Sequence, residues 1–196
     1  MTLRKLLKLL AGSGDFLNRL HNRLVFAVFG VRPAAFPEIH GRIFIRNTGE
    51  ILMGRDVAIR SSHASNPIGG GSFTSLVVRQ GGRLVIGDRV GISNSAIYCI
   101  QEIEIGDGAM IGSGCRIWDT DFHSLDPAKR VIDPDPDIRS SPVRIGRNAF
   151  IGAGSVILKG IAIGEASVIG AGSVVTRSIP DGEIWAGNPA RLIRKL

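Results

Sequence analysis

The chain has 196 residues, 44% of them hydrophobic, 21% charged and 6% aromatic, with 26 Gly and 9 Pro. That length suits one domain with a small appendage; the apolar fraction excludes a disordered chain, and few aromatics among many glycines argue against a large sandwich or bundle core. No run of about 18 apolar residues is present, which argues against an integral membrane protein, and two cysteines, Cys99 and Cys115, make no disulfide scaffold, so a reducing, cytoplasmic setting is expected.

The net charge of +7 is unevenly spread. Residues 1–32 hold Arg4, Lys5, Lys8, Arg19, Arg23 and Arg32 against Asp15, whereas the rest of the chain is nearly balanced. A balanced body argues against a nucleic-acid groove.

Residues 1–31 read as two helical pieces broken at Ala11-Gly12-Ser13-Gly14. The first sets Leu3, Leu6, Leu7 and Leu10 at helical spacing; Asp15 is the expected cap of the second, which runs through Phe16, Leu17, Leu20, Leu24, Phe26 and Phe29. Charges interrupt the apolar positions, unlike a secretory signal. Two readings of 1–32 stay open: a basic amphipathic anchor on anionic lipid at the inner face of the plasma membrane, or, more simply, helices packed on the body or on a neighbouring chain.

Residues 33–196 read as one repeat-built domain with a C-terminal tail. Ile45–Gly54 matches Val78–Gly87 at a constant offset, so the repeat is expected to begin near Ile43, with 61–73 as an interrupting loop. Aliphatics then recur six apart, as Ile86 and Ile92, Ile105, Ile111 and Ile117, and Ile145, Ile151, Ile157, Ile163, Ile169 and Val175. Glycine directly follows most of them, and Ala149, Ser155, Ile161, Ser167 and Ser173 stand four positions on. The step of thirteen from Ile92 to Ile105 suggests one bulged residue.

Six is not the helical period. A two- or three-residue strand and a tight corner account for it, the aliphatic facing a narrow core and the glycine serving the corner by its conformation or by close approach. Three such edges close one turn of a triangular solenoid of parallel strands, though the repeat does not fix its hand.

Between Ile117 and Ile145 the step of twenty-eight breaks the period, so about 118–142 leaves the coil as a loop rich in Asp and Pro. Long loops on rigid scaffolds often carry function. His123 lies in it, whereas His21, His40 and His63 all precede the regular coils. One histidine among the regular coils is too few for a three-histidine metal site, so no metal is expected.

The hexapeptide period, the run Asp119-Thr120-Asp121-Phe122-His123-Ser124-Leu125-Asp126-Pro127 and the ending Ala186-Gly187-Asn188-Pro189-Ala190-Arg191-Leu192-Ile193-Arg194 together resemble the hexapeptide-repeat acyltransferases. The likeness is nearest to sugar and capsule-polysaccharide O-acetyltransferases and to galactoside and maltose acetyltransferases, and covers about 43–196. It implies an all-β fold, a left-handed parallel β-helix, assembled as a homotrimer with active sites between subunits. It also implies acetyl-CoA as co-substrate and a sugar or polysaccharide acceptor.

Acyl transfer to a hydroxyl needs a base near neutrality, which histidine provides. The resemblance makes His123 that base, with Asp119 and Asp121 as candidates to orient its ring or bind acceptor hydroxyls. The backbone at Gly152 and Ala153 is implied beside the thioester, the Ala153 N–H facing the oxyanion. Asn94, Phe150 and Arg130 are candidates on the acceptor side, Phe150 standing where relatives often carry Trp. Thr176 and Arg177 match positions near the adenine, and Arg191 and Arg194 match positions near the phosphates. A Cys115 nucleophile is the weaker alternative, since the thiol falls at a small buried position. Two rivals remain: N-acetylation of an amino sugar or a nucleotide-linked one, and a non-catalytic β-helix scaffold; a serine acetyltransferase is expected to carry a much larger helical region than residues 1–32.

Overall fold

The structure, a computed structural model, describes residues 3–68, 73–132, 134 and 136–196, with side chains from Asp15 onward. The glycines at 69–71 and the first leucines of the helix therefore lie outside the described side chains.

A single helix, α1 (Leu3–Val28), replaces the two expected pieces. A glycine inside a helix costs about 1 kcal/mol relative to alanine but, unlike proline, removes no backbone donor, so the helix runs through Gly12 and Gly14. Asp15 accordingly sits within it and caps nothing. The helix stops where Gly30 takes a left-handed conformation (φ +62°) and the Val31 N–H donates to the Phe26 carbonyl at 3.0 Å.

Three parallel sheets follow, one for each face of a triangular coil. The first face stacks Arg32–Pro33, Glu50–Met53, Arg83–Ile86, Glu102–Ile105, Val143–Ile145 and Ala162–Ile163. The second stacks Glu38–Gly41, Ala58–Ser61, Gly91–Ser93, Met110–Ile111, Phe150–Ile151 and Val168–Ile169, and ends in an antiparallel hairpin, Glu183–Gly187 with Ala190–Lys195. The third stacks Phe44–Asn47, Ser75–Val78, Ala96–Cys99, Arg116–Trp118, Val156–Ile157 and Val174–Val175.

The register puts the period-six aliphatics into columns. Ile86, Ile105, Ile145 and Ile163 align on the first face, Ile92, Ile111, Ile151 and Ile169 on the second, and Ile97, Ile117, Ile157 and Val175 on the third. All are buried, and burying an isoleucine contributes about 1.5–3 kcal/mol. Phe26 and Val31 share this core, so the end of α1 belongs to the body and a boundary between 32 and 33 cuts the first strand.

Three details of the repeat differ from the sequence reading. The coil begins at Arg32, not near Ile43. The offset between Ile45–Gly54 and Val78–Gly87 is not constant: Ile51 pairs Leu84, but Ile45 pairs Leu76, the turn at Gly81-Gly82 absorbing two residues. The step of thirteen is not a bulge: the third-face column residue comes early, at Ile97, and a longer turn through Ile100 and Gln101 restores the phase.

The glycines act by close approach. A Cβ on Gly87, Gly112, Gly152 or Gly164 would stand 2.3–2.6 Å from an atom of the next coil, yet none of these has a positive φ. The left-handed residue comes two positions later, as Arg89, Gly114, Gly154 and Ala166. In three corners linking the first and second faces, an aspartate of the next coil accepts the N–H that follows the glycine: Asp88 from Arg55, Asp107 from Asp88, and Asp181 from Glu165.

Candidate active site

The coil is left at Asp119, one residue later than expected, since Trp118 completes a third-face strand. Asp119 does not face the histidine. It is fully buried and accepts the N–H groups of Ile100, Gln101 and Glu102 at 2.7–2.8 Å, with the Cys99 thiol at 3.5 Å. The expectation that it orients the imidazole is thus corrected: both oxygens are spent closing the preceding coil's turn.

A short antiparallel neck follows. Thr120 bridges Ser140, the Asp121 N–H donates to the Arg139 carbonyl, and the Ser141 N–H donates to the Asp119 carbonyl. The Asp121 carboxylate pairs with Lys159 at 3.3 Å. The sequence reading missed Lys159, and no sequence signal marks it, since every third-face column aliphatic (Ile97, Ile117, Ile157 and Val175) is followed by a residue other than glycine.

Phe122 then adopts φ +64°, in the left-handed region that non-glycine residues seldom occupy. Its ring packs on Tyr98 and Trp118, with centroids 4.9 and 5.7 Å apart, on the outer side of the third face. This clamp offsets the backbone cost and turns the chain so that His123, next in line, is exposed. Beyond it the Ser124 hydroxyl accepts the Asp126 N–H, and Asp126 caps α2 (Pro127–Arg130), which carries Arg130 at an exposed position.

Ala153 stands at the opposite corner of the same face, in the turn leading into Val156–Ile157. There the next coil presents Ala171, not an aspartate: a Cβ on Gly152 would meet the Ala171 nitrogen at 2.5 Å. The Ala153 N–H therefore lacks the carboxylate cap that Arg55, Asp88 and Glu165 receive. Phe150, just upstream, is exposed on the second face in register with Met110.

Asn94 is buried and left-handed (φ +40°); its amide donates to the Ser62 carbonyl at 3.4 Å, and its Oδ1 has no partner among the described residues. A buried acceptor without a donor is costly, and such a group suits a bound hydroxyl or amine. Cys115 is a structural thiol: it donates to the Gly152 carbonyl at 3.2 Å, and burial raises its pKa. Burial, with the Asp119 carboxylate beside it, pushes Cys99 up to about 12. Neither is an available nucleophile.

Thr176 and Arg177 are exposed after Val174–Val175, and Arg191 and Arg194 on the terminal hairpin. Among the described residues the guanidinium groups of Arg191 and Arg194 meet only local backbone carbonyls, so both can accommodate an anion. Cavities of about 340 and 290 Å³ flank α1 and contain none of the candidate residues. Among the described residues no three His, Cys, Asp or Glu side chains converge as a metal site.

Residues 142–177 match the hexapeptide repeat of succinyl-transferase. Nodulation protein L of Rhizobium leguminosarum bv. viciae is 50% identical over 99 residues, and the chain spans 50% of that relative's length. A maltose O-acetyltransferase from Clostridium difficile is 26% identical, with a TM-score of 0.57 over 94% of this chain and 85% of that one. An N-acyltransferase from Bacillus cereus, AntD, in complex with dTDP-4-amino-4,6-dideoxyglucose and coenzyme A, is 25% identical, with a TM-score of 0.65 over 81% of this chain and 80% of that one. The chain thus carries hexapeptide repeats on a left-handed parallel β-helix and is similar in sequence and structure to acetyltransferases.

Proposed function

We propose that the chain is an acetyl-CoA-dependent O-acetyltransferase acting on a hydroxyl of a sugar or a cell-surface polysaccharide precursor. The observation that carries this reading is the placement of His123: exposed, behind the clamped left-handed Phe122, at one corner of the face whose other corner holds the uncapped Ala153 N–H. Acetyl-CoA supplies an activated acetyl group as its thioester. His123 takes the proton from the acceptor hydroxyl as the new C–O bond forms, then returns it to the departing thiolate sulfur. The Ala153 N–H donates to the carbonyl oxygen as that oxygen gains charge.

Two corners of one face are poorly placed to serve a single substrate. A homotrimer in which one copy's His123 completes its neighbour's Ala153 corner resolves this. On the acceptor side Phe150 offers a flat apolar surface but no hydrogen-bond donor, Asn94 an unpaired acceptor, and Arg130 a charge on the loop. Thr176 and Arg177 suit the adenine end of CoA, while the guanidinium forks of Arg191 and Arg194 suit its phosphates.

His123→Ala lowers kcat by about a hundredfold or more while leaving acetyl-CoA binding nearly intact. Turnover is followed as CoA release with a panel of sugars. Binding is followed by thermal shift, where a ligand at about a hundred times its Kd stabilises by about 2.7 kcal/mol. Lost cofactor affinity with turnover retained would contradict the base assignment, and no shift for the folded wild type would favour a non-catalytic scaffold. The similarity to an N-acyltransferase bound to an amino-sugar nucleotide supports a second reading, N-acetylation of such an acceptor. CoA release with a nucleotide-linked amino sugar but with no neutral sugar would select it.

A further inference from the structure

The body uses one side of α1. Asn22 donates to the Gly41 carbonyl and accepts the Ile43 N–H, Asn18 accepts Arg42 Nε, Phe26 enters the core, and Arg23 lies over the Phe36 ring. On the other side stand Phe16, Leu17, Leu20, Leu24 and Val28, each between 49 and 75% exposed. At 3.6 residues per turn these five fall within an arc of about 120° centred opposite Asn22. Isolated exposed apolar residues are ordinary, but a contiguous stripe marks an interaction surface. In sequence, Leu3, Leu6 and Leu10 continue the same spacing toward the start of the helix.

The charges of α1 indicate what covers the stripe. Five basic residues (Arg4, Lys5, Lys8, Arg19 and Arg23) stand against one acidic residue, Asp15, a net +4, whereas the coils are nearly balanced. A second copy would bring the same cationic helix against this one, and like charges repel. An anionic surface complements them. A long amphipathic helix of low overall hydrophobicity, with a leucine and phenylalanine stripe and a basic polar face, has the physical character of one that lies in a membrane interface. No helix among the described residues is long and apolar enough to cross a membrane.

We propose that α1 lies in the plane of an anionic lipid surface, its stripe of Phe16, Leu17, Leu20, Leu24 and Val28 among the acyl chains and its net positive charge drawing it to the headgroups. The first coil is thereby docked at the membrane. This inference stands apart from the transfer reaction, and its test involves no activity.

The full-length chain is floated with vesicles of phosphatidylcholine alone, or of phosphatidylcholine mixed equally with phosphatidylglycerol. The chain binds the anionic vesicles at least about tenfold more tightly, and added salt weakens that binding. Replacing Leu20→Glu and Leu24→Glu together lowers it about a hundredfold, with the melting temperature and the mass in solution unchanged. Failure to bind, or binding indifferent to the double substitution, overturns the proposal. A fall in assembly mass caused by that substitution also overturns it, since the stripe would then be covered by another copy. Leu20→Trp serves if the double variant is unstable: its emission shifts to the blue on anionic vesicles, and an unshifted spectrum is equally decisive against the proposal.

Discussion

From Val143 to Val175 the chain is held by repetition. Each buried aliphatic stacks on its counterpart in the next coil, each glycine lets the neighbouring corner approach, and each left-handed residue turns the strand in the same way. Between Asp119 and Pro142 the described residues add nothing to the aliphatic columns or the glycine corners, and the one left-handed residue among them, Phe122, serves a different turn. Contacts of different kinds hold that loop: a buried carboxylate, a two-stranded neck, ion pairs of Asp121 with Lys159 and of Asp137 with Lys129, and an aromatic clamp. The coil spreads its stability over many equivalent contacts. The loop depends on a few unlike ones, and that is where a catalytic side chain is presented.

The contrast breaks most severely at the root of the loop. Asp119→Ala removes a fully buried carboxylate, leaves the N–H groups of Ile100, Gln101 and Glu102 without their acceptor and destabilises the fold by about 4 kcal/mol, read from urea denaturation. A cost below 1 kcal/mol would mean that the turn at Ile100–Glu102 does not need the carboxylate.

Within the coil, two glycines in stacked corners of successive turns separate approach from conformation. Gly152→Ala drives a Cβ against the Ala171 backbone and costs about 3 kcal/mol. Gly172→Ala has open space around it but a φ of +70°, and costs about 1 kcal/mol. Thermal denaturation of both variants gives the order, and its reversal would make backbone conformation the dominant demand of the repeat.

The smallest expected effect lies at the clamp. Phe122→Ala removes the ring between Tyr98 and Trp118, lowering kcat about tenfold, with KM for acetyl-CoA unchanged and stability altered by less than about 1 kcal/mol. An unaltered kcat would confine the ring to a packing role.

How much the sequence disclosed follows from the same division. The aliphatic columns were legible because period six is a property of the sequence itself, and Ser155, Ser167 and Ser173 are buried where the pattern put them. Early irregularities were legible only in outline: Ile45 resembles Val78 yet pairs Leu76, because the length of the turn at Gly81-Gly82, not residue similarity, sets the register. In the loop, Asp119 and Asp121 look alike in sequence, but one is sealed under the preceding turn while the other meets Lys159 across the coil. Nothing in the spelling of the motif separates them; what does is which coil lies beneath. The left-handed turn at Phe122 was equally silent, since it persists only through the rings of Tyr98 and Trp118.

The aspartate-capped corners give the solenoid a direction. Arg55 is capped from a position 33 residues downstream, Asp88 from 19 and Glu165 from 16, so in each case a turn is finished by a residue made after it. During synthesis, which proceeds from the amino end, a freshly emerged turn presents an open corner until its successor arrives. Growth at such a front is templated but never self-sufficient, and the antiparallel hairpin at Glu183–Lys195 is where the advancing front changes geometry and stops.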